Sequence, residues 1–113
     1  MIYKILSKID WTTAIQNGSY EGSKDDVRDG FIHFSTGAQL AETAKKHFSG
    51  QDGLLLVAFN EKDLGPALKW EPSRGGALFP HLYDRLDPAL ALWSKSIPLA
   101  SDGTPNLPAE AQQ

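Results

Sequence analysis

The chain has 113 residues, of which 41% are hydrophobic, 22% charged and 10% aromatic, the size and mix of one soluble globular domain rather than a disordered segment. It contains no cysteine, which excludes a disulfide scaffold, a thiol nucleophile and a thiolate zinc site. Eleven basic residues against fourteen acidic ones give a formal charge of −3, and neither half carries the basic field of a nucleic-acid binder, so no bulk nucleic-acid partner is expected.

Ile2 to Leu6 is apolar and β-prone around Lys4 and reads as a first strand. Met1 to Leu6 lacks the charged segment and long apolar stretch of a signal peptide, so the expected address is the cytoplasm. Asp10 is placed to cap a short helix over Trp11 to Gln16, which Asn17-Gly18 stops. Ser23-Lys24-Asp25-Asp26 caps one more turn before Asp29-Gly30 breaks it. Phe31 to Ser35 alternates, with Phe31, His33 and Ser35 on one face and Ile32 and Phe34 on the other. Thr36 and Gln39 then form a capping box for a helix that runs to about Phe48 and ends at Gly50.

Leu54 to Phe59 is the longest apolar run, six residues. It is far short of the roughly 20 that a membrane helix needs, so no membrane association is expected. Its length and bounding turn residues suit a strand buried on both faces. Ala67 to Glu71 reads as another strand, Pro72 to Gly76 as a loop, and Phe79 to Tyr83 as an extended segment stiffened by Pro80. Asp87-Pro88 opens a turn, and Ala89 to Ile97 reads as a last strand. Residues 100–113 are expected to form a loosely ordered C-terminal tail, leaving one domain over residues 1–99. Helices at the front followed by short strands, without a βαβ rhythm, argue for an α+β fold with mixed or antiparallel strands and two to three helices.

Two constellations could carry chemistry. The first is His33-Phe34-Ser35, where an imidazole and a hydroxyl share a strand face beside a helix start, a corner suited to a phosphate or a ribose hydroxyl. As a motif H-x-S is weak, and Ser35 or Thr36 acting only as a cap is the simpler reading. The second runs from Trp70-Glu71 through Ser73-Arg74-Gly75-Gly76 to Phe79-Pro80-His81-Leu82-Tyr83. Its glycines permit close backbone approach, Arg74 offers bidentate anion contacts, and Glu71 could hold a ribose or act as a base. The simpler reading is a hairpin with solvated charges.

Lys4, alone among apolar neighbours, is expected to snorkel to solvent, the sharper alternative being a cation at a cleft rim. His47, next to Lys45 and Lys46, reads as a surface residue. His33, His81 and Glu71 lack the H-x-x-x-H or H-x-H spacing of a metal site, so no metal is expected. No G-x-S-x-G elbow, Walker A or G-x-G-x-x-G motif is present.

Ile-Tyr-x-Ile near the start, Gly30-Phe31-Ile32-His33-Phe34-Ser35-Thr36, Trp70-Glu71 and Phe79-Pro80-His81-Leu82-Tyr83 together resemble the bacterial domain-of-unknown-function family 952, in order and spacing, from Met1 to about Leu99. That family has no established activity. The resemblance implies an ADP-ribosyltransferase-like fold, short strands around a cleft that in active relatives grips NAD. The His33 strand is similar to the H-x-H-x-S strand of RNA 2′-phosphotransferases. By that likeness NAD or an ADP-ribose-type nucleotide is the implied ligand or substrate, with His33 and Glu71 as the catalytic candidates. Lys4, His33, Ser35, Arg74, His81 and Tyr83 are the binding candidates. Lysine at position 4 departs from the family's usual histidine, which favours the alternative of a non-catalytic binding module that has lost transferase chemistry.

Overall fold

Strand β1 (Ile2–Ser7) ends in the residue that starts the next element: Ser7 Oγ accepts from the Asp10 amide and caps α1 (Lys8–Asn17). The helix therefore begins at Lys8, not at Trp11 with Asp10 as its cap. Asp10 sits instead in the first turn, where its charge faces the positive end of the helix dipole. The protein is described as a computed structural model over residues 1–112, with the side chains of Arg74, Glu110 and Gln112 outside that description. The second helix, α2 (Lys24–Asp29), has the capping box expected of its sequence: Ser23 Oγ accepts from the Asp26 amide, and Asp26 Oδ2 from the Ser23 amide.

Strand β2 (Ile32–His33) is short, and the chain then crosses to β1, where Ser35 and Tyr3 exchange two backbone hydrogen bonds of 2.8 and 2.9 Å. The Thr36 amide donates to Gln39 Oε1, holding a 3₁₀ turn that leads into α3 (Leu40–Phe48). β3 (Leu54–Phe59) is buried along its whole length, as its apolar run requires. β4 (Leu68–Pro72), β5 (Leu78–Leu82) and β6 (Trp93–Ile97) follow. β6 is shorter than the sequence suggests, because Asp87 caps a 3₁₀ turn over Pro88–Leu90 that delays its start.

The strands form two antiparallel sheets of three, ordered β1-β3-β6 and β2-β5-β4. With the three helices this is the α+β class expected from the sequence. The alternation of β1 and β3 divides the core. Ile2, Leu6, Val57 and Phe59 pack with Trp11, Tyr20 and the second sheet's Ile32 and Leu82. Tyr3, Ile5, Leu56 and Ala58 pack with Leu40 and Ala44 of α3 on the other side. Beyond Leu99, where composition suggests a loose tail, Leu99 bridges Pro105 and Ala111 is fully buried in the α3-side cluster. Among the described residues no helix is long and apolar enough to cross a membrane.

Candidate functional site

β1 is an edge strand, and at that edge a cavity of about 270 Å³ opens between it, α2, the β2 segment, α3 and β5. Its apolar lining includes Tyr3, Ile5, Phe48 and Phe79, with Phe34 at its edge as its ring packs on Phe59 in the core, and its polar lining includes Ser35, Thr43 and His81. Lys4 and His33 line it as well, with Asp26 beside them. The expected cleft residues Lys4, His33, Ser35 and His81 are thus brought together. Glu71 and Tyr83 stand behind His81, outside the described lining. Arg74 lies in the turn between β4 and β5, but its side chain is outside the described residues.

Lys4 does not snorkel. It is only 6% exposed, and its Nζ lies 2.8 and 3.1 Å from the two oxygens of Asp26, itself 2% exposed. The strand's even face turns inward, and an ammonium there must find a counter-charge. Asp26 serves as that partner and as a hub. Its Oδ2 accepts from the Ser23 amide, and its Oδ1 accepts from the His33 amide at 3.0 Å and lies 2.6 Å from His33 Nδ1. Burial pushes the Asp26 carboxyl up, but the His33 hydrogen bond, the charge and hydrogen bond of Lys4 and the Ser23 amide outweigh it. Together they hold the carboxyl well below the usual carboxylate range. Burial lowers the pKa of Lys4, against the raising effects of Asp26 and Asp25.

The second nitrogen of His33 is also engaged, Nε2 lying 3.0 Å from Asp29 Oδ2. Asp29 is shared with Arg28, whose hydrogen bond is the main cause that lowers the Asp29 carboxyl. A carboxylate can only accept, and a neutral imidazole donates from one nitrogen alone. Satisfying both carboxylates takes the doubly protonated ring. In this arrangement both ring nitrogens of His33 face carboxylate oxygens.

His81 is 5% exposed and stacks on Phe31, ring centroids 4.0 Å apart. Its Nδ1 lies 2.9 Å from Glu71 Oε1, which also accepts from the Tyr83 hydroxyl at 2.6 Å. Those two bonds, Tyr83's first, lower the Glu71 carboxyl, and the same contact raises the Tyr83 hydroxyl. Glu71 therefore fixes the orientation of a wall residue and is not itself on the wall. Ser35 Oγ and Thr43 Oγ1 lie 3.0 Å apart across the β1–α3 side. His47 is exposed, as expected, but stands at the cavity beside Lys46. Among the described residues no group of three His, Asp or Glu side chains could hold a metal ion.

Asp26 is the residue that sequence reasoning passed over. Its signal was present in two halves: an N3 carboxylate in a capping box, and a lone lysine in an apolar strand that needs a partner.

This is a small α+β domain whose polar cavity is organised by a buried ion pair. The chain belongs to the protein-of-unknown-function family DUF952, whose model matches residues 5–93. It is similar to the protein CC0527 of Caulobacter crescentus. Against the crystal structure of that protein the chain shows 47% identity, covers 99% of its own length and 98% of the other, and reaches a TM-score of 0.95. Against the solution NMR structure of CC0527 the figures are 50% identity, 92% and 90% coverage and a TM-score of 0.83. Comparison with curated proteins gave no match.

Proposed function

We propose that the β1–α2–α3 cavity binds the nucleoside part of NAD or an ADP-ribose-type nucleotide, on a fold related to the ADP-ribosyltransferases. The observation that carries this reading is the lining, which combines the aromatic residues Phe48 and Phe79 with the hydroxyls of Ser35 and Thr43 and the imidazole of His81. Aromatic faces take a base, and hydroxyls with an oriented imidazole take a ribose. At about 270 Å³ the cavity is below the roughly 300–1,000 Å³ usual for drug-sized ligands, so it accommodates part of a dinucleotide. The remainder would lie at the mouth, by Arg28, Lys46 and His47.

The carboxylates favour binding over transfer. Stabilising positive charge on a ribose takes an unengaged carboxylate at the reacting carbon. Asp26 is held by Lys4 and His33, Asp29 by Arg28 and His33, and Glu71 stands behind His81. The test is isothermal titration with NAD, ADP-ribose and nicotinamide, on the wild type and on Thr43→Phe, which fills the cavity from α3. Saturable heat in the wild type, lost in Thr43→Phe at an unchanged melting temperature, is expected; no heat with any of the three would overturn the reading. Nicotinamide release from NAD separates the two classes: none is expected, whereas turnover that Glu71→Gln abolishes would make the protein a transferase or glycohydrolase.

A further inference from the structure

His33 links both ends of α2 to the strand beneath it. Its Nδ1 is 2.6 Å from Asp26 near the helix start, and its Nε2 is 3.0 Å from Asp29 at the helix end. The two carboxylates are not equivalent. Asp26 is buried and paired with Lys4, so it cannot turn away; Asp29 is on the surface and has an alternative partner in Arg28, at 3.0 Å.

We propose that His33 is a proton-controlled latch that holds the end of α2 against the cavity while the ring carries both protons and frees it when one is lost. The proton that leaves is the one on Nε2, and it goes to solvent. Nδ1–H stays with buried Asp26, so Asp29 is left facing a lone pair and turns wholly to Arg28. α2 and its cap supply Ser23, Asp25, Asp26, Arg28 and Asp29 to the cavity lining, so release at this end moves a wall of the cavity.

The other charged groups around the ring are consistent with this division. Lys4 of β1 acts across Asp26, and Asp25 pairs with the far side of Arg28 at 3.2 Å. His81 of β5, backed by Glu71, lies 5.5 Å away between ring centroids, and Phe31 packs against both rings. Lys46 and His47 of α3 line the same cavity. Only the Nε2–Asp29 contact changes from attraction to repulsion when the ring becomes neutral.

The consequence for ligand access rests on the binding reading above, but the latch is tested without any ligand, so the two can fail separately. Hydrogen exchange would be followed at the Gly30 and Phe31 amides, which donate to the Asp26 carbonyl at the end of α2. Protection relative to intrinsic exchange would be measured from pH 5 to 9, alongside the ring nitrogen spectrum of His33. Both ring nitrogens are expected to be protonated at the acid end. As Nε2 loses its proton, protection at Gly30 and Phe31 should fall about 10- to 100-fold, the effect of losing one charged hydrogen bond. The Tyr3 amide, bonded to the Ser35 carbonyl, should not change. In Asp29→Asn the step should vanish, because an amide accepts from the charged ring and donates to the neutral one. A ring neutral at pH 5, protection that is flat through the His33 titration, or an undiminished step in Asp29→Asn would each overturn the latch.

Discussion

Asp26 receives bonds from Lys4, from the Ser23 amide and from both the backbone and the ring of His33, and no single replacement can accept all of them. Asp26→Asn leaves a buried ammonium without its counter-charge, so a loss of about 3–5 kcal/mol is expected in urea melts, the usual result of breaking a buried pair. The sign with pH follows from the lowered carboxyl. A group that titrates lower in the fold than in the unfolded chain contributes its full stability above the ordinary carboxylate value of about 4 and loses it as pH falls further. Melts between pH 2 and 6 should show wild-type stability declining more steeply than that of Asp26→Asn. Gly22 is set by the same residue: at φ +111° a Cβ there would lie 2.7 Å from Asp26 Cβ. Gly22→Ala should cost about 1–3 kcal/mol from backbone strain, and more if Asp26 shifts. A neutral result would mean that the Ser23 turn gives way easily. The Tyr20 hydroxyl, buried and without a partner among the described residues, leads to the opposite expectation. Burial, then the charges of Asp26 and Asp10, push its ionisation up. Tyr20→Phe removes an unsatisfied group and should be neutral or stabilise by about 1 kcal/mol, and a clear loss would reveal a partner for the hydroxyl.

Among the elements, β3 has the clearest sequence signal and the deepest burial. Its run of six apolar residues has one physical solution in a chain of this size, a central strand with a core on each face. Leu56, fully buried among Tyr3, Leu40 and Ile97 of its cluster, should cost about 2–5 kcal/mol on truncation to Ala in a urea melt. The capping boxes of Ser23–Asp26 and Thr36–Gln39 were equally legible, because both partners sit within one turn. Local signals mislead where two caps compete: Asp10 has the side chain of a cap for α1, yet Ser7, still in the strand, accepts from the Asp10 amide. They fail altogether for the site's pairings. Lys4 and Asp26 are 22 residues apart, and the chain offers fourteen acidic residues. Which one closes on Lys4 depends on how α2 is laid against β1, a tertiary fact that no spacing encodes. The place of Glu71 is likewise set by tertiary pairing. Its register opposite Phe79 puts it beside His81 and Tyr83, so it supports the cavity wall from outside.

At the scale of the molecule, β1 belongs to the first sheet and meets the chain leaving the second sheet at a single bridge between Tyr3 and Ser35, and the cavity lies beside that bridge. Beside that bridge the edge of β1 faces α2 through the Lys4–Asp26 pair, and Phe48 and Thr43 of α3 line the cavity across from it. That construction leaves a polar floor under aromatic walls, which a single sheet with a continuous apolar core would not provide. It also separates the cavity from a second one, of about 300 Å³, that Ala41, Lys45 and Asn106 line on the other side of α3. The most direct test of the cavity as the ligand site is amide chemical-shift mapping of the wild-type protein during titration with ADP-ribose. The account expects saturable shifts confined to Ser35, Thr43, Phe79, His81 and the α2 segment. Shifts gathered at Ala41, Lys45 and Asn106, or none at saturating ligand, would contradict it.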